Sequence, residues 1–282
     1  MKHRMPDTET VLYGVLGCPI RHSRSPLLMN AAFSHYGINA VYLAFEQKNT
    51  SDALAAVRAL NIKGLSVTIP HKEAAAGLVD ELDSTARVLG CINTVINRSG
   101  VLFGYNYDGA AAVQPISETV PDWKTRHYVI LGSGGSARGI AITLSQNAPE
   151  ARIHFAVRNP EKAKNLCNEL SRLHRSPEIH NISGLNKNAI PDNAVIINTT
   201  PVGMFPDISS SPVADTLFSK KMVIYDIVYN PRRTKFLQDG EHAGAAVIEG
   251  RRMFFGQAAL QFKLWTGLDA PVMLWSEIFP DQ

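Results

Sequence analysis

The chain has 282 residues, 45% of them hydrophobic and 19% charged, the balance of a globular protein with room for two modest domains. Its formal net charge of +3 is spread along the chain among interleaved acids, which argues against nucleic acid as a partner. No apolar run approaches the roughly 18 residues of a membrane span, and the opening "MKHRMPDTET" carries no apolar h-region, so neither a membrane partner nor a targeting signal is expected.

The first apolar run, "VLYGVLG" (11–17), reads as a strand. In "GCPIRHSRSP" (17–26) Ser23 and Ser25 stand two apart before a Pro-led helix. Either the two hydroxyls share one small anion or one serine caps the helix, and the residues alone favour capping. A helix over 25–37, a strand "AVYLAFE" (40–46), a helix over 50–61 and a strand "GLSVTIP" (64–70) make the first hundred residues a βαβα run. "SVTIPHK" stops at Pro70 and sets Lys72 on the loop beyond, where an isolated lysine would be an ordinary helix-start residue. "NYDGAAAVQPI" (106–116) is the expected hinge, with Asp108 as cap and Gly109 opening an alanine-rich helix, and "SETVPDWKTR" (117–126) the expected loop. From there "RHYVILG", "ARIHFAV", "NAVIINTT" and "KMVIYDIVY" are near-continuous apolar strands, the kind buried on both faces of a parallel sheet. Cys18, Cys91 and Cys167 are widely spaced and come without CxxC pairs or histidines clustered along the sequence. No metal site is therefore expected, and a reduced, cytoplasmic compartment is.

"HYVILGSGGSARGIAITLSQN" (127–147) joins an apolar strand to a helix through a glycine turn, placing Gly132, Gly134 and Ala137 on the GxGxxA pattern of dinucleotide-binding units. Gly132 permits the tight turn, Gly134 lets backbone N–H groups near a pyrophosphate, and Ala137 lets the helix pack close to the strand. Gly135 and Ser136 belong to the same loop. NAD-binding units carry Asp or Glu at the end of the following strand, but here it ends "FAVRNPEKA". Arg158, with Lys162 one turn later, suits the 2′-phosphate of NADP, which is favoured over NAD.

Taken in order, "GCPIRHSRSP", "SVTIPHK", "GCINTV", "GYNYDG", "GSGGSARG", "NTTPVGM", "YDIVYNP" and "GQAALQFKLWTG" resemble the shikimate dehydrogenases along almost the whole chain. The resemblance implies a two-domain α/β fold: a substrate domain over 1–108, completed by 251–282, and a Rossmann-type NADP domain over 109–250, with C-terminal helices returning to the first domain and the active site in the cleft. It implies NADP-dependent reduction of 3-dehydroshikimate to shikimate, on the route to aromatic amino acids, by a cytoplasmic monomer or homodimer. By the same carry-over Lys72 and Asp108 are catalytic, Ser23, Ser25 and Tyr229 hold the substrate carboxylate, and Thr68, Asn93, Asp108 and Gln257 bind its hydroxyls. Thr199, Met204, Gly250 and Met253 line the nicotinamide. The alternatives are a quinate or aminoshikimate enzyme, possibly NAD-using, and a ligand sensor without turnover.

Two positions depart from the family's pattern, His71 for its usual Phe and Tyr107 for its usual Thr. His71 is expected to be a surface-loop histidine, and Tyr107 either to alter the pocket or to point away. The arginines of "NPRRTK" and "GRR" are expected on solvated faces, and Cys91 as a small buried packer.

Overall fold

The computed structural model describes residues 5–173, 177–186 and 188–279. The chain divides into two compact units, one of residues 1–107 with 257–280 and the other of residues 108–256 with 281–282.

In the first unit β1 (Val11–Gly17), α1 (Ser25–His35), β2 (Ala40–Glu46), α2 (Thr50–Ala59) and β3 (Gly64–Val67) follow the expected alternation. Leu16, Leu54, Val57, Leu65 and Val67 form its core. Asn49 caps α2 by accepting the N–H groups of Ser51 and Asp52. Then come α3 (Lys72–Ala76), β4 (Glu81–Leu82), α4 (Ser84–Leu89), β5 (Thr94–Arg98) and β6 (Val101–Tyr105). The sheet order is β2-β1-β3-β5-β6-β4, with β5 antiparallel to both β3 and β6. The βαβα expectation missed this hairpin. Its two-residue turn puts Ser99 at φ 54° and Gly100 at φ 93°, the left-handed pair of a type I′ turn that the Ser-Gly dipeptide offers.

In the second unit α5 (Asp108–Thr119) runs through Pro115 and takes in the first residues of the segment expected as loop. Proline removes one helical hydrogen bond, but Ala111, Ala112, Val113 and Ile116 are buried on the same helix, and that burial outweighs the loss. Next come β7 (His127–Leu131), α6 (Gly135–Asn147), β8 (Arg152–Val157), α7 (Pro160–Leu173), β9 (Glu178–Asn181), β10 (Val195–Asn198), β11 (Val223–Asp226), α8 (Lys235–His242) and β12 (Ala246–Ile248). Their sheet is wholly parallel, in the order β12-β11-β10-β7-β8-β9, and its central strands are buried as expected. The chain ends in α9 (Gly250–Thr266) and α10 (Val272–Ile278). The division between the units falls within α9, at Gly256 and Gln257, rather than at the expected 250 and 251. Among the described residues no helix is long and apolar enough to cross a membrane.

Candidate active site

In the first unit, strand register gathers the loops at one end of the sheet. Leu16 of β1 lies beside Val67 of β3, the Thr68 N–H donates to the Leu16 carbonyl at 2.9 Å, and the Val67 N–H donates to the Asn93 carbonyl at 2.8 Å. The Ile92 N–H donates to the Lys72 carbonyl at 2.9 Å, and the Cys18 N–H to the Ile69 carbonyl at 3.1 Å. The backbone thus stitches together three loops, those carrying the serines, Thr68 with Lys72, and Asn93. Ser25 is buried as the first residue of α1. The Ser23 hydroxyl accepts the Ser25 N–H at 3.3 Å, while Arg24, in the cap position, contributes no side-chain cap. Capping therefore comes from the residue before the formal cap.

Asn93 is 2% exposed, and its side-chain oxygen accepts the Thr94 hydroxyl at 2.6 Å and the Tyr107 N–H at 3.1 Å. With the oxygen occupied by these donors, the amide orientation is set. Behind it lies Gln261 of α9, 1% exposed, which the sequence reading missed. Its amide donates to the Asn93 carbonyl at 3.1 Å and to the Thr94 hydroxyl at 3.0 Å. Its oxygen accepts from Ser66 at 2.7 Å, and Ser66 accepts from the Tyr42 hydroxyl at 2.6 Å. The available signal was a glutamine one turn beyond Gln257 in the otherwise apolar run "AALQF". Gln257 itself is half-buried on the same helix.

Both departures from the family pattern are resolved. His71 is not a surface residue: it is 1% exposed, and its Nδ1 is 2.8 Å from the Thr50 hydroxyl, because the turn after β3 packs against α2. Tyr107 stacks on Tyr105, with centroids 6.0 Å apart and planes at 15°. Burial, with Tyr105 and Asp83 nearby, pushes its hydroxyl up to about 12.

In the second unit Asp108 is the first residue of α5. The glycine loop has the geometry its motif requires. Gly132 sits at φ 108°, and a Cβ there would lie 2.8 Å from the Thr199 hydroxyl. Gly134 and Gly135 face open space at the start of α6, where no atom stands within 4 Å of an added Cβ. Ala137 is fully buried. Ser136 is half-buried in the first turn of α6, and Arg158 is exposed just past β8. The side chain of Lys162 lies outside the described residues. A bare helix start with open glycines is what a pyrophosphate needs, so these residues fit a dinucleotide.

"NTTPVGM" is braced from behind. The Thr199 hydroxyl donates to the Leu131 carbonyl at 2.7 Å. Asn198 donates to the Val202 carbonyl at 3.2 Å and to Asp226 at 3.0 Å, and the Thr234 hydroxyl donates to Asp226 at 2.6 Å. Burial pushes the Asp226 carboxyl up to about 6 against the pull of these hydrogen bonds. Met204 is half-exposed in this loop and Met253 is buried in α9. Gly250 packs on Val228, whose carbonyl would stand 2.3 Å from an added Cβ. Tyr229 stacks on Phe254 with centroids 4.7 Å apart. Of the four arginines expected on solvated faces, three instead converge on Glu249, Arg232 at 3.0 Å, Arg233 at 3.3 Å and Arg251 at 2.7 Å, and Arg252 pairs with Glu118.

Residues 15–95 match the model of the shikimate dehydrogenase substrate binding domain, and residues 250–272 that of the shikimate 5'-dehydrogenase C-terminal domain. Residues 127–228 match a model described as NADP oxidoreductase, coenzyme F420-dependent. Over 96% of its length the chain is 38% identical to a shikimate dehydrogenase (NADP(+)) of Geobacillus sp. (strain WCH70), 98% of which is covered. The chain belongs to the shikimate dehydrogenase family. A crystal structure of a shikimate dehydrogenase in complex with NADP+ superposes with a TM-score of 0.90 at 33% identity, covering 97% of this chain and 96% of that one. Quinate dehydrogenase from Corynebacterium glutamicum, in complex with NAD, superposes at 0.88 with 26% identity, covering 96% and 98%. The same fold is thus shared by proteins named for shikimate and for quinate.

Proposed function

We propose that the protein is an NADP-dependent shikimate dehydrogenase, reducing 3-dehydroshikimate reversibly to shikimate. The observation that carries this reading is the end-to-end 38% identity with a shikimate dehydrogenase (NADP(+)), over a chain that keeps Lys72, Asp108 and the glycine turn. The first unit serves as the substrate domain and the second as the cofactor domain. In the second, Gly132, Gly134, Gly135, Ser136 and Ala137 hold the pyrophosphate, and Arg158 with Lys162 the 2′-phosphate. Thr199, Met204, Gly250 and Met253 line the nicotinamide. Bound NADPH supplies the hydride.

As negative charge grows on the substrate oxygen, the Lys72 ammonium stabilises it and then gives that oxygen its proton. Asp108 accepts a hydrogen bond from the neighbouring substrate hydroxyl, as Thr68, Asn93 and Gln257 do from or to the others. Ser23, Ser25 and Tyr229 donate to the substrate carboxylate. Bound oxygen, nitrogen and hydroxyl partners of this kind penalise an analogue that lacks one of them, because the unmatched group is left buried and unpaired.

The test is absorbance at the nicotinamide band during oxidation of shikimate and of quinate, each with NADP and with NAD. Turnover concentrated in the shikimate and NADP pair is expected. Preference for quinate or for NAD overturns the substrate or cofactor assignment, and silence in all four overturns the enzyme. A Lys72→Ala variant that keeps wild-type turnover removes Lys72 from the chemistry.

A further inference from the structure

The second unit assembles a histidine cluster that spacing along the chain conceals. β7, β8 and β9 are neighbours in the sheet, and they bring together His127, His154 and His180, which are 27 and 26 residues apart. His127 Nδ1 lies 2.9 Å from His154 Nε2. On its other side His154 Nδ1 lies 3.3 Å from His180 Nε2 and 3.3 Å from Glu178 Oε2, while His180 Nε2 and Glu178 Oε2 are 3.7 Å apart.

These three donor atoms form a triangle with the dimensions of a metal's coordination face. Bonds of about 2.05 Å in a tetrahedron put neighbouring ligand atoms about 3.3 Å apart. We propose that His154 Nδ1, His180 Nε2 and Glu178 Oε2 bind a divalent transition-metal ion of the zinc class, with its fourth position open to water. Two imidazoles and one carboxylate favour such an ion over magnesium or calcium, which take oxygen ligands.

The surroundings suit that role. If His154 carries its proton on Nε2, it donates to His127 Nδ1, and this fixes the tautomer that leaves the Nδ1 lone pair for the ion. His127 is thus a positioning residue rather than a ligand. Access exists as well: the side chains of Glu178 and His180 are 62% and 22% exposed on the edge strand, whereas that of His154 is 5% exposed. The ion would clip the edge strand to β8.

The test uses the full chain, stripped with EDTA and titrated with zinc chloride in a calorimeter. Wild type is expected to show one saturable site that His180→Ala abolishes and Glu178→Gln weakens at least tenfold, with His127→Ala costing about tenfold through the outer contact. Cobalt(II) added to the unaltered protein is expected to give the intense visible absorption of a tetrahedral site, bleached by zinc. Absence of the cobalt band at saturating cobalt(II), absence of a saturable zinc site, or a wild-type isotherm in His180→Ala or Glu178→Gln overturns the proposal. Any of these results would leave the cluster as a hydrogen-bonded brace. The cobalt spectrum does not depend on a variant folding.

Discussion

Replacing Gln261 by leucine removes three hydrogen bonds from a site that is 1% exposed, and the structure says which partners suffer. The Asn93 carbonyl keeps the Val67 N–H at 2.8 Å, and the Thr94 hydroxyl still donates to Asn93 Oδ1 at 2.6 Å. Ser66 fares worse, since it keeps Tyr42 as a donor but loses the acceptor of its own proton. One buried donor left unmade costs about 1–3 kcal/mol, and each bond lost between otherwise satisfied groups about 0.5–1 kcal/mol, so Gln261→Leu is expected to destabilise by about 3 kcal/mol. Urea unfolding followed by tryptophan fluorescence measures this, with Trp265 and Trp275 reporting from the first unit. In the Ser66→Ala/Gln261→Leu double variant the orphaned serine is gone, so its cost should fall short of the summed single costs by about 1 kcal/mol. The KM for shikimate should rise a few-fold in Gln261→Leu as the support behind Asn93 loosens, with kcat changing less. Additive single costs, or a Gln261→Leu protein as stable as wild type, would refute the argument that this network braces Asn93.

Asp226 should make stability depend on pH. Its folded-state value of about 6 stands above the ordinary 3.8, so its stabilising contribution is complete below about pH 4 and is lost as pH rises through 6, on the order of 3 kcal/mol. Denaturation midpoints of wild type and Asp226→Asn, compared from pH 4 to 7, should therefore diverge in favour of the variant as pH rises, and a difference constant with pH would contradict this. Two glycines should separate folding from binding. A Cβ at Gly109 would stand 2.1 Å from the Thr143 hydroxyl and 2.5 Å from the Gly139 carbonyl, so Gly109→Ala should lower the melting temperature through overpacking of α5 on α6, at a cost of about 1–3 kcal/mol or more. Gly134→Val meets open space and should melt like wild type while losing NADP affinity in a binding titration; the reverse pattern would refute both readings.

What was legible in the sequence is what depends on spacing along the chain. The central strands β7, β8, β10 and β11 are continuous apolar runs, and the turn at Gly132 needs its glycine because the backbone there sits at φ 108°, so both announce themselves locally. Short edge strands do not: β4 has two residues and β12 three, too few for any period to be counted. His71 was misjudged because "PHK" after a strand looks exposed until α2 is known to cover it. Arg232, Arg233 and Arg251 looked solvated because Glu249, their common partner, is reached only when the turn after β11 meets the start of α9.

Strand register decides the remainder, and it acts at distances no window along the chain can span. Asn93 was found by its motif, but what holds its amide in place includes Gln261, 168 residues away. The three histidines illustrate the same limit from the opposite side. Their absence from any short sequence cluster argued against a metal, yet parallel strands separated by whole helices can align residues about 26 apart as closely as a helix aligns residues four apart. In a parallel sheet, then, the relevant spacing for a ligand set is the length of one strand, helix and return. A search for metal-binding chemistry in α/β chains should examine that interval as well as the short CxxC or HxxxH spacings, because the crossover connection converts it into a contact of 3 Å.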